Sequence, residues 1–241
     1  MYQECSQMND KAIQKIMDDN KRLTSMFIHE LRNPLSLIKG TLQYIEIKHQ
    51  EVKEYKYWNQ LSELIHDMEH LMTDASLLNS INALIINNTD LLALIQLMVD
   101  SYSPQADNQQ KLLTFKHTTE CESLCSSYPC DSEKIKQVLS NLFRNALEAT
   151  EPGNIIEVFL STISTDSGPM LSIQINNNGK PIPEDELDTV FLPFVTHKTG
   201  GTGIGLALTK QIIEAHLGSI KVSSSDELTV FTILLPLQRA L

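Results

Sequence analysis

His29 and Glu30 are neighbours in the stretch FIHELRNPLSLIKG, with Asn33 one helical turn on and Pro34 directly after it. A neutral imidazole is a good nucleophile toward phosphorus, and a carboxylate beside it can orient it and take its proton. Pro34 removes the amide that would bond the carbonyl of Glu30, so it should bend a helix just after the histidine. In an ordinary helix interior that costs roughly 3 kcal/mol. HELRN lacks the second histidine of H-E-x-x-H, which excludes a zinc-protease reading. Asn141 and Asn145 stand four apart in NLFRNALEA and share a helix face. Two carboxamide oxygens one turn apart can ligate a hard cation such as Mg²⁺ without neutralising it. Arg144 can reach a phosphate from there, or remain a solvated charge. Glycines 200, 201, 203 and 205 precede and open an amphipathic helix in TGGTGIGLALTKQIIEAHLG, leaving backbone amides free to approach a phosphate at the helix N-terminus. This stretch has neither the G-K-[ST] of a P-loop nor the setting of a dinucleotide fingerprint. Just upstream, FLPFVTHKTGG adds two aromatics and Lys198 to a glycine-hinged lid.

A fourth stretch, INNNGKPIP (Ile175–Pro183), ends an alternating strand in three asparagines, a glycine and two prolines. Asn and Gly tolerate left-handed backbone and Pro fixes its own angle, so this is a turn. Three carboxamides are more than a turn needs. Each of the four patterns also has a plainer reading taken alone: a surface histidine near a bend, a solvated helix face, a glycine-rich loop, or a turn and nothing more.

The elements that must position these groups follow from periodicity. Thr24, Leu31, Ile38 and Ile45 recur every seven residues with Phe27, Leu35 and Leu42 beside them, so the first helix carries an apolar stripe. His29 does not share that stripe and should point outward. After a polar break, Leu61, Leu64, Ile65, Met68, Leu71, Met72, Ala75 and Leu78 repeat the pattern. Two such helices make an antiparallel hairpin whose stripe is half covered, which predicts a homodimer built as a four-helix bundle. Beyond residue 82 the character changes. DLLALIQLMVDSYSPQA reads as a helix capped by Thr89 or Asp90, KLLTFKHT as a strand, and DSEKIKQVLSNLFRNALEAT as a capped helix. IIEVFLST and MLSIQI are strands about a DSG turn, GIGLALTKQIIEAHL is a helix stopping at Gly218, and SIKVSSS and LTVFTILLPL are closing strands. The fold class expected is α+β, with a helical domain over 1–82 and an α/β sandwich over 83–241.

Bulk properties narrow the class. A formal charge of -11 and a pI near 5.0 speak against a nucleic-acid surface. The N-terminus has no apolar signal core, and LLALIQLMV is about half the roughly 20 residues a membrane span needs. A cytoplasmic protein with no membrane span is expected. Cys121, Cys125 and Cys130 match no common zinc spacing and are expected as free thiols in a strand and loop. His66 and His70 are four apart, and a solvated helix face is the expectation for them.

In order along the chain, His-Glu-x-x-Asn-Pro, N-x-x-x-N-A, N-G-x-P-I, F-x-P-F and G-T-G-I-G-L resemble the sensor histidine kinases of bacterial two-component systems. The resemblance covers about residues 20 to 240. It implies that His29 is the phosphoacceptor on a dimeric hairpin, that Glu30 is the acid activating it, and that Asn33 helps water attack an aspartyl phosphate on a partner. It implies an ATP-binding domain of the gyrase type in which Asn141 and Asn145 meet Mg²⁺ and phosphate. Phe191 and Phe194 fall in the aromatic box, and Gly201, Gly203 and Gly205 in the phosphate-side loop. Lys198, Thr202 and Leu206 of the same stretch count among the nucleotide contacts. At the adenine end the family usually has Asp-x-Gly-x-Gly, whereas Asn177, Gly179 and Pro181 stand here. An asparagine oxygen still accepts a bond from the adenine amino group without charge assistance, at a loss of about 1 kcal/mol.

The implied activity is ATP-dependent autophosphorylation of His29, then transfer to an aspartate on a response regulator receiver domain, with phosphatase action on that regulator also in reach. Two alternatives keep the same hairpin: a phosphotransferase whose ATP domain no longer works, and a dimeric scaffold without catalysis. Only about 20 residues precede the helix of His29, too few for a sensor domain, so regulation is expected through that extension, a partner or the ATP domain.

Overall fold

A computed structural model describes residues 26, 28, 30–80, 84–166, 168–196 and 203–237. His29, Lys198, Gly201 and Thr202 lie outside the described residues, as do the side chains of His66 and His70. Contacts divide the chain into two units, Met1–Asn82 and Ala83–Leu241.

In the first unit, helix α1 spans 30–48 and passes through Pro34 without a break. A short 3-10 stretch, Gln50–Glu54, leads to helix α2, Lys56–Ser80. Ile28, Leu35, Ile65 and Met72 form a buried cluster, with Leu42 packed against it. Lys39 Nζ donates to both carboxylate oxygens of Glu69 at 3.0 and 2.8 Å. The seven-residue stripe therefore splits. The line through Ile28, Leu35 and Leu42 is covered within the unit, whereas Leu31, Ile38, Leu61, Leu64 and Met68 stay exposed.

The second unit opens with strand β1 (Asn87–Thr89) and helix α3 (Leu91–Asn108), whose N-cap Asp90 accepts from the Ala93 amide. Strand β2 (Leu112–His117), the short helix α4 (Glu120–Leu124) and strand β3 (Tyr128–Cys130) follow. Helix α5 (Ser132–Ala149) leads to strands β4 (Ile155–Thr165) and β5 (Gly168–Asn177). Helix α6 (Gly205–Ala215) precedes strands β6 (Ser219–Ser224) and β7 (Thr229–Pro236). The main sheet runs β2-β4-β5-β7-β6, parallel only between β2 and β4, and β1 pairs β3 in a separate two-stranded sheet.

Alternation decides which sheet face is covered. Ile156, Val158 and Leu160 of β4, Ile173, Ile175 and Asn177 of β5, and Thr229, Phe231, Ile233 and Leu235 of β7 are buried, and they oppose one another across the ladders. Helices α3, α5 and α6 form the covering layer, α3 packing on β2 and α5, and α6 on α5 and β6. The result is a two-layer α/β sandwich.

Sequence reading omitted α4, β1 and β3. Each is five residues or fewer, shorter than the windows in which periodicity shows, and Pro129 reads against a strand. One consequence is that Cys121 sits on a helix rather than in a strand. Cys121, Cys125 and Cys130 are all buried free thiols. Burial pushes the Cys125 thiol up to about 12, with Cys121 beside it adding to the shift.

Candidate nucleotide site

Helix α5 is the ruler of the site. Asp131 caps it, its carboxylate accepting from the amides of Lys134 at 3.1 Å and Ile85 at 2.9 Å. Burial alone would raise this carboxyl; those two amide bonds, with help from His216 and Lys134, outweigh it and hold the group below its ordinary value. Ile135, Val138, Leu139, Leu142, Phe143, Ala146 and Leu147 form the buried side of α5. Asn141, Asn145 and Ala149 succeed one another at four-residue steps on another side. Eight residues of helix put about 12 Å between the first and last of them.

At one end of that line, Asn141 Nδ2 donates to the Gly205 carbonyl at 3.1 Å and toward Thr209 Oγ1 at 3.5 Å. Its Oδ1 accepts from Arg144 Nη2 at 3.3 Å. Asn141 thus ties α5 to the first turn of α6, and both ends of its carboxamide are engaged. Helix α6 starts after Ile204 with no side chain capping it, so its first amides keep their capacity to bind an anion. A Cβ at Gly205 would lie 3.6 Å from its nearest neighbours, Asn141 and Arg144. Gly203 is different: its φ is +67°, and a Cβ there would come within 2.7 Å of the Phe194 and Val195 backbone. The Phe194 amide donates to the Gly203 carbonyl at 3.1 Å, so aromatic box and glycine loop are clasped directly. Phe191 packs edge-on against Phe231 of β7, ring centroids 6.3 Å apart. Phe194 itself is exposed, and Leu206 is half buried.

The turn after β5 stands at the other end. The Lys180 amide donates to the Ala149 carbonyl at 2.7 Å. A Cβ on Gly179 would fall 2.1 Å from that same carbonyl oxygen, so close approach of the turn to α5 requires glycine here. Asn178 Oδ1 accepts from the Ile155 amide at 2.7 Å. Asn177 is 2 % exposed on the helix-covered face, and its Nδ2 is buried with no hydrogen-bond partner. Such an orphan costs about 1–3 kcal/mol, and Asn176 Oδ1, on the opposite face of the strand, is a second one.

The structure thus brings Asn141, Gly205, Gly203 and Phe194 together at one end of α5 and Asn177 and Gly179 near the other, with Asn145 half buried between them. Glu30 and Asn33 lie exposed on α1 in the first unit. Thr229, beside the turn after β5, was not singled out from sequence. Thr229 is buried directly across the ladder from Asn177. Its hydroxyl bonds Ser224 Oγ at 2.6 Å, and Ser224 Oγ accepts from the Ile182 amide at 2.9 Å. A threonine among the buried positions of LTVFTILLP was the available signal. His216 was also passed over. It is fully buried, its Nε2 accepting from the Asp131 amide at 3.0 Å and its Nδ1 meeting the Ile212 carbonyl at 2.7 Å. It fastens the end of α6 to the start of α5. Among the described residues no group of three or more His, Cys, Asp or Glu is placed to hold a metal.

The two-layer sandwich has an asparagine-lined helix running between a glycine-opened helix and the turn after β5, and residues 130–239 match the histidine kinase-, DNA gyrase B- and HSP90-like ATPase family. The chain is 30% identical to the sensor histidine kinase ZraS of Escherichia coli K12, over 94% of this chain and 49% of ZraS. The catalytic domain of the histidine kinase ThkA matches with a TM-score of 0.55 at 30% identity, over 63% of this chain and 95% of that domain. ThkA in complex with the response regulator TrrA shares the fold over 90% of this chain and 61% of that one, with a TM-score of 0.64 at 24% identity. The chain belongs to the bacterial sensor histidine kinases. It spans about half the length of the curated relatives it matches. Among the described residues no helix is long and apolar enough to cross a membrane.

Proposed function

We propose that this chain is an ATP-dependent protein histidine kinase that phosphorylates its own His29. The observation that carries the reading is the line Asn141–Asn145–Ala149, which joins an uncapped helix N-terminus at Gly205 to the orphaned carboxamide end at Asn177. The α6 amides receive the phosphates, Phe191 and Phe194 flank the nucleotide, and Asn177 Oδ1 accepts from the base. Leu206 joins them, and Lys198, Gly201 and Thr202, outside the described residues, are expected as further nucleotide contacts. Carboxamide oxygens suit Mg²⁺, a hard cation that would supply positive charge against the phosphates. Asn145, with Asn141 as the second candidate, would hold the ion, as the resemblance implies.

A ring nitrogen of His29 attacks the γ-phosphorus, the bond to the β-phosphate oxygen breaks, and Glu30 accepts the imidazole proton. The phosphoryl group then passes to an aspartate of a response regulator receiver domain, as the ThkA–TrrA pair suggests by analogy of fold. Asn33, exposed on α1, would help water remove it again, as the resemblance implies, which makes phosphatase action part of the reading. α1 and α2 form an antiparallel hairpin, and exposed Leu31, Ile38, Leu61, Leu64 and Met68 meet their counterparts in a second copy to make a four-helix bundle. The reaction belongs in the cytoplasm, where ATP and receiver domains are. Incubation with γ-labelled ATP and Mg²⁺ is expected to give acid-labile label on the chain, lost in His29→Gln. Absence of label from the unsubstituted chain sinks the kinase reading and favours the phosphotransferase or scaffold.

A further inference from the structure

The orphaned carboxamide at the base end says more than that a base binds; it bears on which base. This inference rests on the nucleotide-site reading above. Asn177 is 2 % exposed and its Nδ2 is sealed from solvent with no partner. No hydrogen bond to its Oδ1 is found among the described residues either, yet Oδ1 is not among the sealed orphan atoms. Oδ1 is therefore the less enclosed end of a carboxamide that is almost wholly buried. A buried asparagine is normally held in one of its two orientations by its bonds. Here none holds it. A half-turn about the last side-chain torsion exchanges two atoms of nearly equal size and replaces one unpartnered interior atom by another. It also converts the outward end from acceptor to donor.

The polar neighbours do not oppose such a reversal. Thr229 stands across the ladder from Asn177, and either member of its hydroxyl pair with Ser224 can be the donor. An outward acceptor matches the 6-amino group of adenine. An outward donor matches the 6-oxo group of hypoxanthine or guanine. An ionised carboxylate, acceptor only, manages the first and opposes the 6-oxo oxygen, leaving only the neighbouring N1–H of a 6-oxopurine for it to accept from.

We propose that Asn177 makes the base end permissive, so that 6-oxopurine nucleoside triphosphates bind this site alongside ATP. Inosine triphosphate is the cleaner probe, because guanine adds a 2-amino group for which no receiver is identified.

The test measures dissociation constants of ATP, ITP and GTP with Mg²⁺ on the full chain and on Asn177→Asp. For the unsubstituted chain, ITP is expected within about tenfold of ATP. In Asn177→Asp an acceptor faces an acceptor, and an unpaired buried group costs about 5- to 150-fold. The ITP-to-ATP ratio should therefore rise by about fivefold or more. A ratio above a hundredfold in the unsubstituted chain, or one that Asn177→Asp leaves unmoved, overturns the proposal while ATP binding keeps the site reading intact. Failure of the unsubstituted chain to bind ATP at all overturns both. Should Asn177→Asp bind no nucleotide, the ratio in the unsubstituted chain decides alone.

Discussion

Two glycines two residues apart separate what the fold needs from what the ligand needs. At Gly203, φ is +67° and a Cβ would sit 2.7 Å from the Phe194 carbonyl carbon and the Val195 oxygen, backbone atoms that cannot rotate away. Left-handed backbone costs an L-residue about 1–2 kcal/mol before any clash. Gly203→Ala should therefore open the clasp between the Phe194 amide and the Gly203 carbonyl and lower Tm by about 2–8 °C for a unit of this size. At Gly205 the nearest atoms to a Cβ are 3.6 Å away, at Asn141 and Arg144, and φ is unexceptional. Alanine there is an ordinary fit on the first residue of a helix, where it gains up to about 0.5–1 kcal/mol over glycine. Gly205→Ala should thus melt no lower than the unsubstituted chain. Its ATP affinity should nevertheless fall by about tenfold or more, because a methyl group then stands where a phosphate approaches the α6 amides. Calorimetric melting beside ATP titration reads both quantities on the same preparations. Full ATP affinity in a stable Gly205→Ala refutes the placing of phosphates at this helix end.

Two further outcomes follow from the buried polar groups. The Asp131 carboxyl is held below its ordinary value of 3.8, so its charge stabilises the fold fully above about pH 4, and that contribution is lost as pH falls through the depressed folded value. Asp131→Asn keeps a capping oxygen but no charge; its melting deficit, about 2–4 °C per kcal/mol lost, should be full near pH 7 and close toward pH 2, and a deficit independent of pH counts against the assignment. Cys121, Cys125 and Cys130 are buried, with the Cys125 thiol near 12, so a thiol reagent at pH 8 should reach these three only after denaturant is added; their rapid reaction in the native chain contradicts this packing.

What was legible in the sequence was legible through period and punctuation. The 3.6-residue stripes of α3, α5 and α6 and the alternation of β4, β5 and β7 were strong enough to place those elements; the caps were narrowed to Thr89 or Asp90 and to an Asp or Ser, and the structure selects Asp90 and Asp131. The two-stranded sheet β1–β3 and helix α4 were too short to show any period. Site residues were visible where their type was out of keeping with a simple element, as with Asn141 or the glycines. They were hidden where type agreed with context. Thr229 suits a strand by propensity alone, and only the ladder pairing with Asn177 gives it a neighbour of consequence. His216 sits at the end of a helix, where a histidine is ordinary. Its bond to the Asp131 amide joins residues 85 apart in sequence, and no local pattern carries that.

Three consecutive asparagines do three different things because strand alternation and strand termination separate them. Asn176 and Asn177 face opposite sides of the sheet by the period of two, so only Asn177 joins the buried layer with Ile156 and Thr229 across its ladders. Asn178 lies one residue past the strand, where its carboxamide closes the start of β4 through the Ile155 amide. A slip of one residue would exchange Asn176 for Asn177 on the buried face. Two features beside it forbid that slip. The Asn178–Ile155 bond holds the turn to β4, and Gly179, pressed against the Ala149 carbonyl, holds it to α5. The base-end carboxamide can be without partners of its own because its neighbours fix its place. What they leave open is which of its two ends it offers.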